Sequence, residues 1–469
     1  MVPDRGTWQL AAGAAVVGLA LAAAAVTAAG PWDNGQRKAE RTHAAALGRA
    51  GGADHQGAGQ GREAAEAPGP APAPSAPGVL AAASAPKVPS VAPAALADVL
   101  APLLDDPGLG PLRTASVVDA ATGRQLYGRG AGTAMTPAST VKIATAAAVL
   151  SATGPAHRIP TRVVAAPDFR SITLVGGGDP TLDPPRMRAL ADRTAKALRD
   201  RGVTTVRLSY DTSLYKGPVI HPIGAGNDNI APVTALMINE GRLDDSSEGS
   251  ARRSPDPAGD AARAFVGLLS ERGVNTASGP ASGRAPAKGP ALATTYSAPV
   301  PALVERMLTN SDNDIAEALA RQTALATGRP ASFAGAEAAV TDRLKRLKLP
   351  MTGSRFADGS GLNRADKVSA ALLTTLLVRA ADPARPELRP VLTGLPVAGF
   401  TGTLSGRTAA GSGGLVRAKT GTLRGVDTLA GTALSADGRL LAFAFLAGDT
   451  PSASVARPAL DRLAAALLP

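Results

Sequence analysis

The sequence predicts an α+β domain that is interrupted by a large insertion. Two strand-like segments come early, at 112–119 and 125–127, and three more come late, between 415 and 446. Helix-like segments fill the chain between them and close it at 454–467. Because strands from the two ends cannot bury their apolar faces alone, we expect them to pair in one antiparallel sheet flanked by helices.

The early elements are a hairpin and a helix. Leu112–Asp119 alternates as a strand, Ala121–Arg124 supplies a turn, and Gln125–Tyr127 leads back. An Ala-rich segment from Ser139 to Leu150 then predicts a long helix, because alanine has the highest helix propensity.

The middle region, 153–292, has elements of its own and many glycines and prolines. Its predicted elements are strands at 171–175 and 203–210 and helices at 186–199 and 258–271. We therefore expect an inserted domain at 153–292 and a catalytic domain made of 94–152 and 293–469.

The last part of the chain returns to the first domain. Helices are predicted at 299–309, 313–326, 332–347 and 368–380, and strands at 415–420, 426–435 and 439–446. The turn Ala436-Asp437-Gly438 favours a hairpin between the last two strands.

The N-terminus predicts export. Leu10–Ala29 is an uncharged apolar run of 20 residues that follows Arg5, so residues 1–30 are either a signal anchor or a cleaved signal peptide. Residues 31–93 are rich in Ala, Pro and Gly and predict a disordered linker, because they cannot bury enough apolar surface. The folded part is expected on the extracytoplasmic face of the membrane or in the cell wall, anchored or secreted.

The amino-acid composition argues against several classes of function. The chain has no cysteine, which excludes disulfides and Cys-based catalysis. Its net charge of +11 is scattered among acidic residues and aromatic residues make up only 3%, so we expect no nucleic-acid partner.

Three short motifs carry the predicted chemistry, in the order S-x-x-K, S-D-N and K-T-G. They are Ser139-Thr-Val-Lys142, Ser311-Asp-Asn313 and Lys419-Thr-Gly421. S-x-x-K also occurs at Ser84 and at Ser213, but only the copy at Ser139 opens a predicted helix, on which residues i and i+3 share a face. The set is typical of enzymes in which lysine activates a serine.

The sequence lacks the motifs of Ser-His-Asp and metal-dependent catalysis. No G-x-S-x-G pentapeptide and no H-E-x-x-H helix exists in the chain, so we expect neither a Ser-His-Asp site nor a metal, and no cofactor. Of the four histidines, His157 and His221 lie in the middle region, where surface or structural roles are expected.

The chain resembles the penicillin-binding proteins and serine β-lactamases, and most closely the low-molecular-mass class C D-alanyl-D-alanine carboxypeptidases/endopeptidases. Besides the three motifs, the resemblance rests on 119–123, 176–182, 211–214, 358–362 and 419–431, and it covers about residues 95–469. It implies a penicillin-binding protein/serine β-lactamase-like transpeptidase fold. It also implies peptidoglycan peptides as substrates and β-lactams as covalent inhibitors.

The resemblance implies a role for each motif residue. Ser139 would form an acyl-enzyme with Lys142 as its base, and Ser311 would relay the proton to the leaving amine. Asn313 would bind the substrate amide, while Lys419 and Thr420 would bind the terminal carboxylate. The backbone of Ser139 and Thr422 would form the oxyanion hole, next to Gly421.

Two alternatives stay open beside this one. A class A β-lactamase commonly has E-x-x-x-N between S-D-N and K-T-G, and none of Glu317, Glu337 or Glu387 is followed by Asn four positions later. A non-catalytic wall-binding scaffold would have no reason to keep all the motif residues. Carboxypeptidase and endopeptidase activity are not separated, because the same site serves both.

Overall fold

The computed structural model describes residues 93–468. The predicted signal segment and most of the linker lie outside this range. Within it, no helix is long and apolar enough to cross a membrane. The strands are β1 Leu112–Asp119, β2 Gln125–Arg129, β3 Ala134–Met135, β4 Arg158–Ala165, β5 Ser171–Val175, β6 Thr205–Asp211, β7 Asn275–Thr276, β8 Ala281–Ser282, β9 Ala291–Pro299, β10 Val368–Ser369, β11 Val416–Leu423, β12 Val426–Leu434 and β13 Leu440–Gly448. The helices are α1 Pro93–Leu104, α2 Lys142–Thr153, α3 Pro184–Arg199, α4 Pro257–Ser270, α5 Val300–Asn310, α6 Asn313–Ala326, α7 Phe333–Arg346, α8 Ala370–Ala381, α9 Pro390–Thr393 and α10 Ala453–Ala465.

The main sheet is built from both ends of the described chain, as predicted. Its order is β11-β12-β13-β1-β2, and every neighbouring pair is antiparallel. The hairpin β12–β13 turns at Gly438, whose φ of 79° suits glycine. Strand β11 lies at one edge of this sheet. Its first residues bridge on the outer side to the segment at Val397, and the rest of the strand, from Lys419 onwards, can face the helices or a ligand.

Both faces of the main sheet are covered, which explains the almost wholly apolar sequence of β13. Ala442, Ala444 and Leu446 pack on one side, in the core that contains α2, α5 and α8. Phe443 and Phe445 point to the opposite side, into the core formed with α1 and α10. Successive strand residues thus serve two different cores, as the period of two requires.

Helix α2 is the centre of the helical layer. Every residue from Lys142 to Leu150 is buried. The α-helix was predicted to begin at Ser139; instead a 3₁₀ turn, Ala138–Val141, precedes it. The turn matters because side chains at i and i+3 eclipse in 3₁₀ geometry, which keeps Ser139 above Lys142.

Residues 158–299 form a second sheet with a core of its own. Its order is β7-β6-β5-β4-β9, with β8 also on β6, and α3 and α4 pack on it. The predicted strands and helices of this region are present. Strands β4 and β9 were not predicted: Pro160, a residue disfavoured inside strands, lies within β4, and a register shift marks that point in its pairing with β9.

Position 361 has no room for a side chain, because it packs against the turn that carries Ser139. Its φ is +83°, and a Cβ there would lie 2.0 Å from the carbonyl oxygen of Ala138. We expect Gly361→Ala to lower the free energy of unfolding by about 1–3 kcal/mol beyond the cost of the left-handed backbone alone, because the close contact forces the turn to move. Urea denaturation monitored by circular dichroism measures this loss.

Gly123→Ala is the matched control, since Gly123 has a φ of +71° and a Cβ added there would meet nothing within 4 Å. That variant should show only the backbone strain, about 1–2 kcal/mol. Equal losses for both variants would contradict the packing argument.

Candidate active site

The first motif places a serine hydroxyl beside a buried lysine. Ala138, with a φ of 48°, starts the 3₁₀ turn that carries Ser139, and Lys142 begins α2. The Nζ of Lys142 lies 3.0 Å from the Oγ of Ser139. Lys142 is completely buried, whereas Ser139 is partly exposed, so the hydroxyl faces a ligand and the amine supports it from behind.

Lys142 has two further acceptors besides Ser139. Its Nζ donates to the Oδ1 of Asn313 at 2.7 Å and to the backbone oxygen of Ser360 at 2.6 Å. An ammonium group has three hydrogens, so the charged form satisfies all three acceptors. A neutral amine keeps two hydrogens for Asn313 and Ser360, and its lone pair then faces the hydroxyl of Ser139.

The surroundings of Lys142 favour access to that neutral form. Burial lowers its pKa to about 8, although Asp358 and Asp312 act in the opposite direction. At pH 7, about one molecule in ten then carries the neutral amine, far more than for a free lysine.

The second motif forms a tight turn between two helices. Ser311 ends α5 in the left-handed conformation, with φ 59° and ψ 35°. Asp312 caps α6 by accepting a hydrogen bond from the N–H of Ile315 at 2.8 Å. Asn313 also donates its Nδ2 to the backbone oxygen of Asn229, at 3.0 Å. In the described residues, Ser311 makes no hydrogen bond to Lys142 or Lys419, although it lines the same cavity as Ser139.

The third motif lies on the edge strand β11. Lys419 is completely buried, and its Nζ donates to the backbone oxygen of Thr420 at 2.8 Å. Burial, together with the positive charges of Lys142 and Arg407, holds the pKa of Lys419 well below its usual value. Lys419 therefore lies behind the wall of the site rather than in it.

Gly421 allows β11 to approach the nucleophile turn. A Cβ at this position would lie 2.7 Å from the oxygen of Pro137, 3.1 Å from the nitrogen of Ser139 and 2.2 Å from the Oγ1 of Thr428. Thr428 in turn donates to the oxygen of Pro137 at 2.7 Å. The strand and the turn are thus joined directly, which fixes the distance between K-T-G and Ser139.

These elements enclose a cavity of about 440 Å³. Of the predicted site residues, its lining includes Ser139, Ser311, Asn313, Thr420 and Thr422, whereas Lys142, Lys419 and Gly421 are packed beneath it. The Oγ1 of Thr420 bonds to Thr403 at 2.9 Å, and that of Thr422 bonds to Asp427 at 3.1 Å. The structure therefore brings all three motifs to one place.

A fourth segment, Asp358–Leu362, completes the support of Lys142. Asp358 Oδ1 accepts from the N–H groups of Ser360 at 3.0 Å and Gly361 at 2.6 Å. Glu317 Oε1 accepts from the N–H groups of Gly359 at 2.9 Å and Ser360 at 3.0 Å. This segment stood out in the sequence only through the resemblance, because its contact with Lys142 is a backbone carbonyl, which no residue type reveals.

His221 ties the middle region to this segment. It is buried, and its Nε2 lies 3.0 Å from Asp358 Oδ2 and 3.7 Å from Glu317 Oε1. Burial acts to lower the pKa of His221, but the hydrogen bonds with the two carboxylates outweigh it and raise that pKa to about 9. Two residues, Asp358 and Ser360, connect His221 to Lys142.

Within residues 93–468, two groups of side chains have the donor types of a metal site. The group of His221, Glu317 and Asp358 uses its atoms in the bonds just described and in an ion pair from Glu317 to Arg321 at 3.0 Å. The other is Glu240, Asp312 and Asp314. There Arg242 and Arg253 hold Glu240 and Asp314, at 3.0 and 3.1 Å. Because Arg242 and Arg253 already pair with two of these three carboxylates, and the first group is bonded as described above, we assign no metal to either group.

The fold is similar to that of a solved penicillin-binding protein. Penicillin-binding protein 4 of Haemophilus influenzae superposes with a TM-score of 0.66 over 79% of this chain and 97% of that one, at 23% sequence identity. The predicted penicillin-binding protein fold is confirmed.

Sequence relatives bear on the family. A carboxypeptidase of Mycobacterium tuberculosis is 38% identical over 389 residues, which are 78% of this chain and 82% of that protein. The carboxypeptidase DacB of Mycolicibacterium smegmatis is 36% identical over 429 residues, which are 86% of this chain and 90% of that protein.

The family match spans nearly all of the described chain. Residues 96–248 and 243–467 match the D-Ala-D-Ala carboxypeptidase 3 (S13) family. The resemblance drawn from the motifs is thereby confirmed, and the chain belongs to this family of serine-type D-Ala-D-Ala carboxypeptidases.

Proposed function

We propose that Ser139 is the nucleophile of a peptidoglycan carboxypeptidase and that Lys142 is its base. The observation that carries the proposal is the 3.0 Å contact between a partly exposed hydroxyl and a fully buried amine. Ser139 Oγ attacks the carbonyl carbon between two D-alanines while its proton passes to the lone pair of Lys142. Breaking the C–N bond leaves an acyl group on Oγ, and water later releases it.

The leaving amine must receive a proton as it departs. Ser311 lies in the wall of the same cavity and is the proposed relay between Lys142 and that nitrogen. Asn313 has a double task in this scheme, because its Oδ1 orients Lys142 while its side chain forms part of the substrate wall. Because Asn313 is the first residue of α6, the helix holds its side chain in place for the contact with Lys142 and for the contact with substrate.

The negative charge that develops on the carbonyl oxygen needs donors. The N–H groups of Ser139 and Thr422 are the proposed oxyanion hole, each contributing about 2.7–4 kcal/mol to transition-state stabilisation. The short approach of Gly421 to the nitrogen of Ser139 supports this pairing, since it brings β11 beside the nucleophile turn.

The substrate and inhibitor classes follow from the family. Peptidoglycan stem peptides ending in D-Ala-D-Ala are the substrates, and cleavage of cross-links would use the same serine. A β-lactam complex has been solved for penicillin-binding protein 4 of Haemophilus influenzae, which supports β-lactams as covalent inhibitors here. Action on the cell wall is extracytoplasmic.

The proposal also assigns a role to each part of the chain. Residues 1–30 export or anchor the enzyme, and residues 31–93 are a linker. Residues 153–292 form an inserted domain, and residues 94–152 and 293–469 form the catalytic domain.

Removing the nucleophile should abolish both turnover and labelling. We expect Ser139→Ala to reduce hydrolysis of a D-Ala-D-Ala peptide by at least about 10³-fold, because no other group can form the acyl-enzyme. A fluorescent penicillin, followed by gel electrophoresis, should label the wild type and not this variant. Ser213→Ala is the matched control, since Ser213 opens another S-x-x-K sequence. Equal labelling of the wild type and Ser139→Ala would instead favour the scaffold alternative.

The acylation rate should rise with pH. The neutral form of Lys142 is the reactive one, so the rate constant should be half-maximal near pH 8 and fall about tenfold for each unit below that. Stopped-flow acylation by a chromogenic β-lactam between pH 6 and 9.5 measures the profile. His221, whose pKa is raised to about 9, titrates in the same range; His221→Gln removes its titration and should leave the limb near pH 8 in place. A flat profile in both proteins would contradict Lys142 as the base.

Bound penicillin should leave slowly. Class A β-lactamases deacylate with a glutamate, and none of the three glutamates between S-D-N and K-T-G lines the described cavity: Glu317 is held by Arg321 and backbone N–H groups, Glu337 pairs with Arg355, and Glu387 lies in a separate 3₁₀ turn, Pro386–Leu388. We expect intact-mass spectrometry to show one penicilloyl group that persists after free penicillin is removed. Rapid return of the unmodified mass would favour the β-lactamase alternative.

A further inference from the structure

The substrate of the proposed reaction brings a negative charge into the cavity. A substrate that ends in D-Ala-D-Ala carries a carboxylate one residue beyond the bond that is cut. Lys419 is completely buried, its Nζ donates to Thr420, and its pKa is held well below the usual range. Because this amine lies beneath the cavity lining and already donates to a backbone oxygen, a positive group within the cavity itself would add to the binding of that carboxylate.

Four arginines line the cavity, and three of them are already paired. They are Arg242, Arg253, Arg407 and Arg457. Arg242 is held by Glu240 at 3.0 Å, and Arg253 by Asp314 at 3.1 Å, and both side chains are almost completely buried.

The third arginine is bound by a carboxylate of α10. Arg407 makes a bidentate contact with Asp461, with Nε 3.0 Å from both carboxylate oxygens and one terminal nitrogen 2.6 Å from Oδ1. This fork-to-fork geometry uses the guanidinium edge that a second carboxylate would need.

Among the described residues, the fourth arginine, Arg457, has no carboxylate within hydrogen-bond distance. Its side chain is 51% exposed, and the nearest carboxylate oxygen, on Asp427, is 4.0 Å from its Nε. Asp427 already accepts hydrogen bonds from Thr422 at 3.1 Å and from Thr450 at 2.9 Å. The charge of Arg457 is therefore only loosely compensated.

The position of Arg457 is suitable for binding a carboxylate in the cavity. Arg457 lies on α10, and its terminal nitrogen reaches the Oγ1 of Thr422 at 3.4 Å, a long hydrogen bond that a ligand can replace. Thr422 and Thr420 alternate onto the same side of β11 and line the cavity with Ser139. A carboxylate beside these two hydroxyls would lie next to the guanidinium of Arg457.

We propose that Arg457 binds the terminal carboxylate of the substrate, together with the hydroxyls of Thr420 and Thr422. This inference rests on the proposed serine mechanism and adds a specificity-determining residue that none of the three motifs contains. The corresponding group on a penicillin is its single carboxylate. Arg457 thus selects ligands with a free carboxylate from otherwise identical neutral ones.

The test compares benzylpenicillin with its methyl ester, which removes only the negative charge. We expect Arg457→Gln to lower the acylation rate constant for benzylpenicillin about 10- to 100-fold, the effect of losing a charge-assisted hydrogen bond. The rate constant for the ester should stay within about twofold of the wild-type value. Arg457→Lys, which keeps a charge, should recover part of the loss. Arg462→Gln is the matched control, because Arg462 lies on the same helix and pairs with Asp106 instead of lining the cavity.

The outcomes are distinct. An equal fall for the acid and the ester, or no fall for either, overturns the role of Arg457 while wild-type acylation of Ser139 leaves the proposed function intact. If the wild-type enzyme is acylated by neither compound, the proposed function fails, and the role of Arg457 fails with it. Thermal unfolding of each variant shows whether a loss of rate comes from a loss of fold.

Discussion

Burying one lysine amine beside one serine hydroxyl is the constraint on which the rest of the structure depends. An amine without water must have an acceptor for each hydrogen, or its burial costs several kcal/mol. Asn313 and Ser360 supply two of these acceptors from segments far apart in sequence. The S-D-N turn and the 358–362 segment must therefore meet at α2, and the packing of α6 against α2 in the main core brings them there.

The electrostatics of the site follow from the same constraint. Two lysines buried beneath one cavity repel each other, and burial pushes both pKa values down. The carboxylates of Asp358, Asp312 and Glu317 partly offset this effect at Lys142, which leaves its pKa near 8 rather than far lower. A base in that range is neutral often enough to react and basic enough to take a proton from a hydroxyl. Lys419 has no such carboxylates among the influences on its pKa, and the positive charges of Lys142 and Arg407 lower that pKa further.

The sequence predicted the parts of this site that are made by side-chain identity. Ser139, Lys142, Asn313 and Thr420 were identifiable because their types and order are specific, and the helices and the main sheet because their apolar periods are long. The carbonyl of Ser360 was not identifiable as a contact of Lys142, since a backbone atom leaves no mark in the residue type. Strand β4 was missed at Pro160, where local propensity opposes the pairing that the second sheet imposes.

The middle region contributes to the site through contacts that no local pattern could predict. Asn229 accepts the amide of Asn313, and His221 holds Asp358, so the two acceptors of Lys142 are each braced from outside the catalytic sheet. His221 fixes the carboxylate that in turn bonds to the N–H of Ser360, while Asn229 limits the rotation of the Asn313 side chain. A residue that braces an acceptor sets the geometry of the base without touching the substrate. Changes in this region can therefore alter the rate of acylation while every motif residue stays in place.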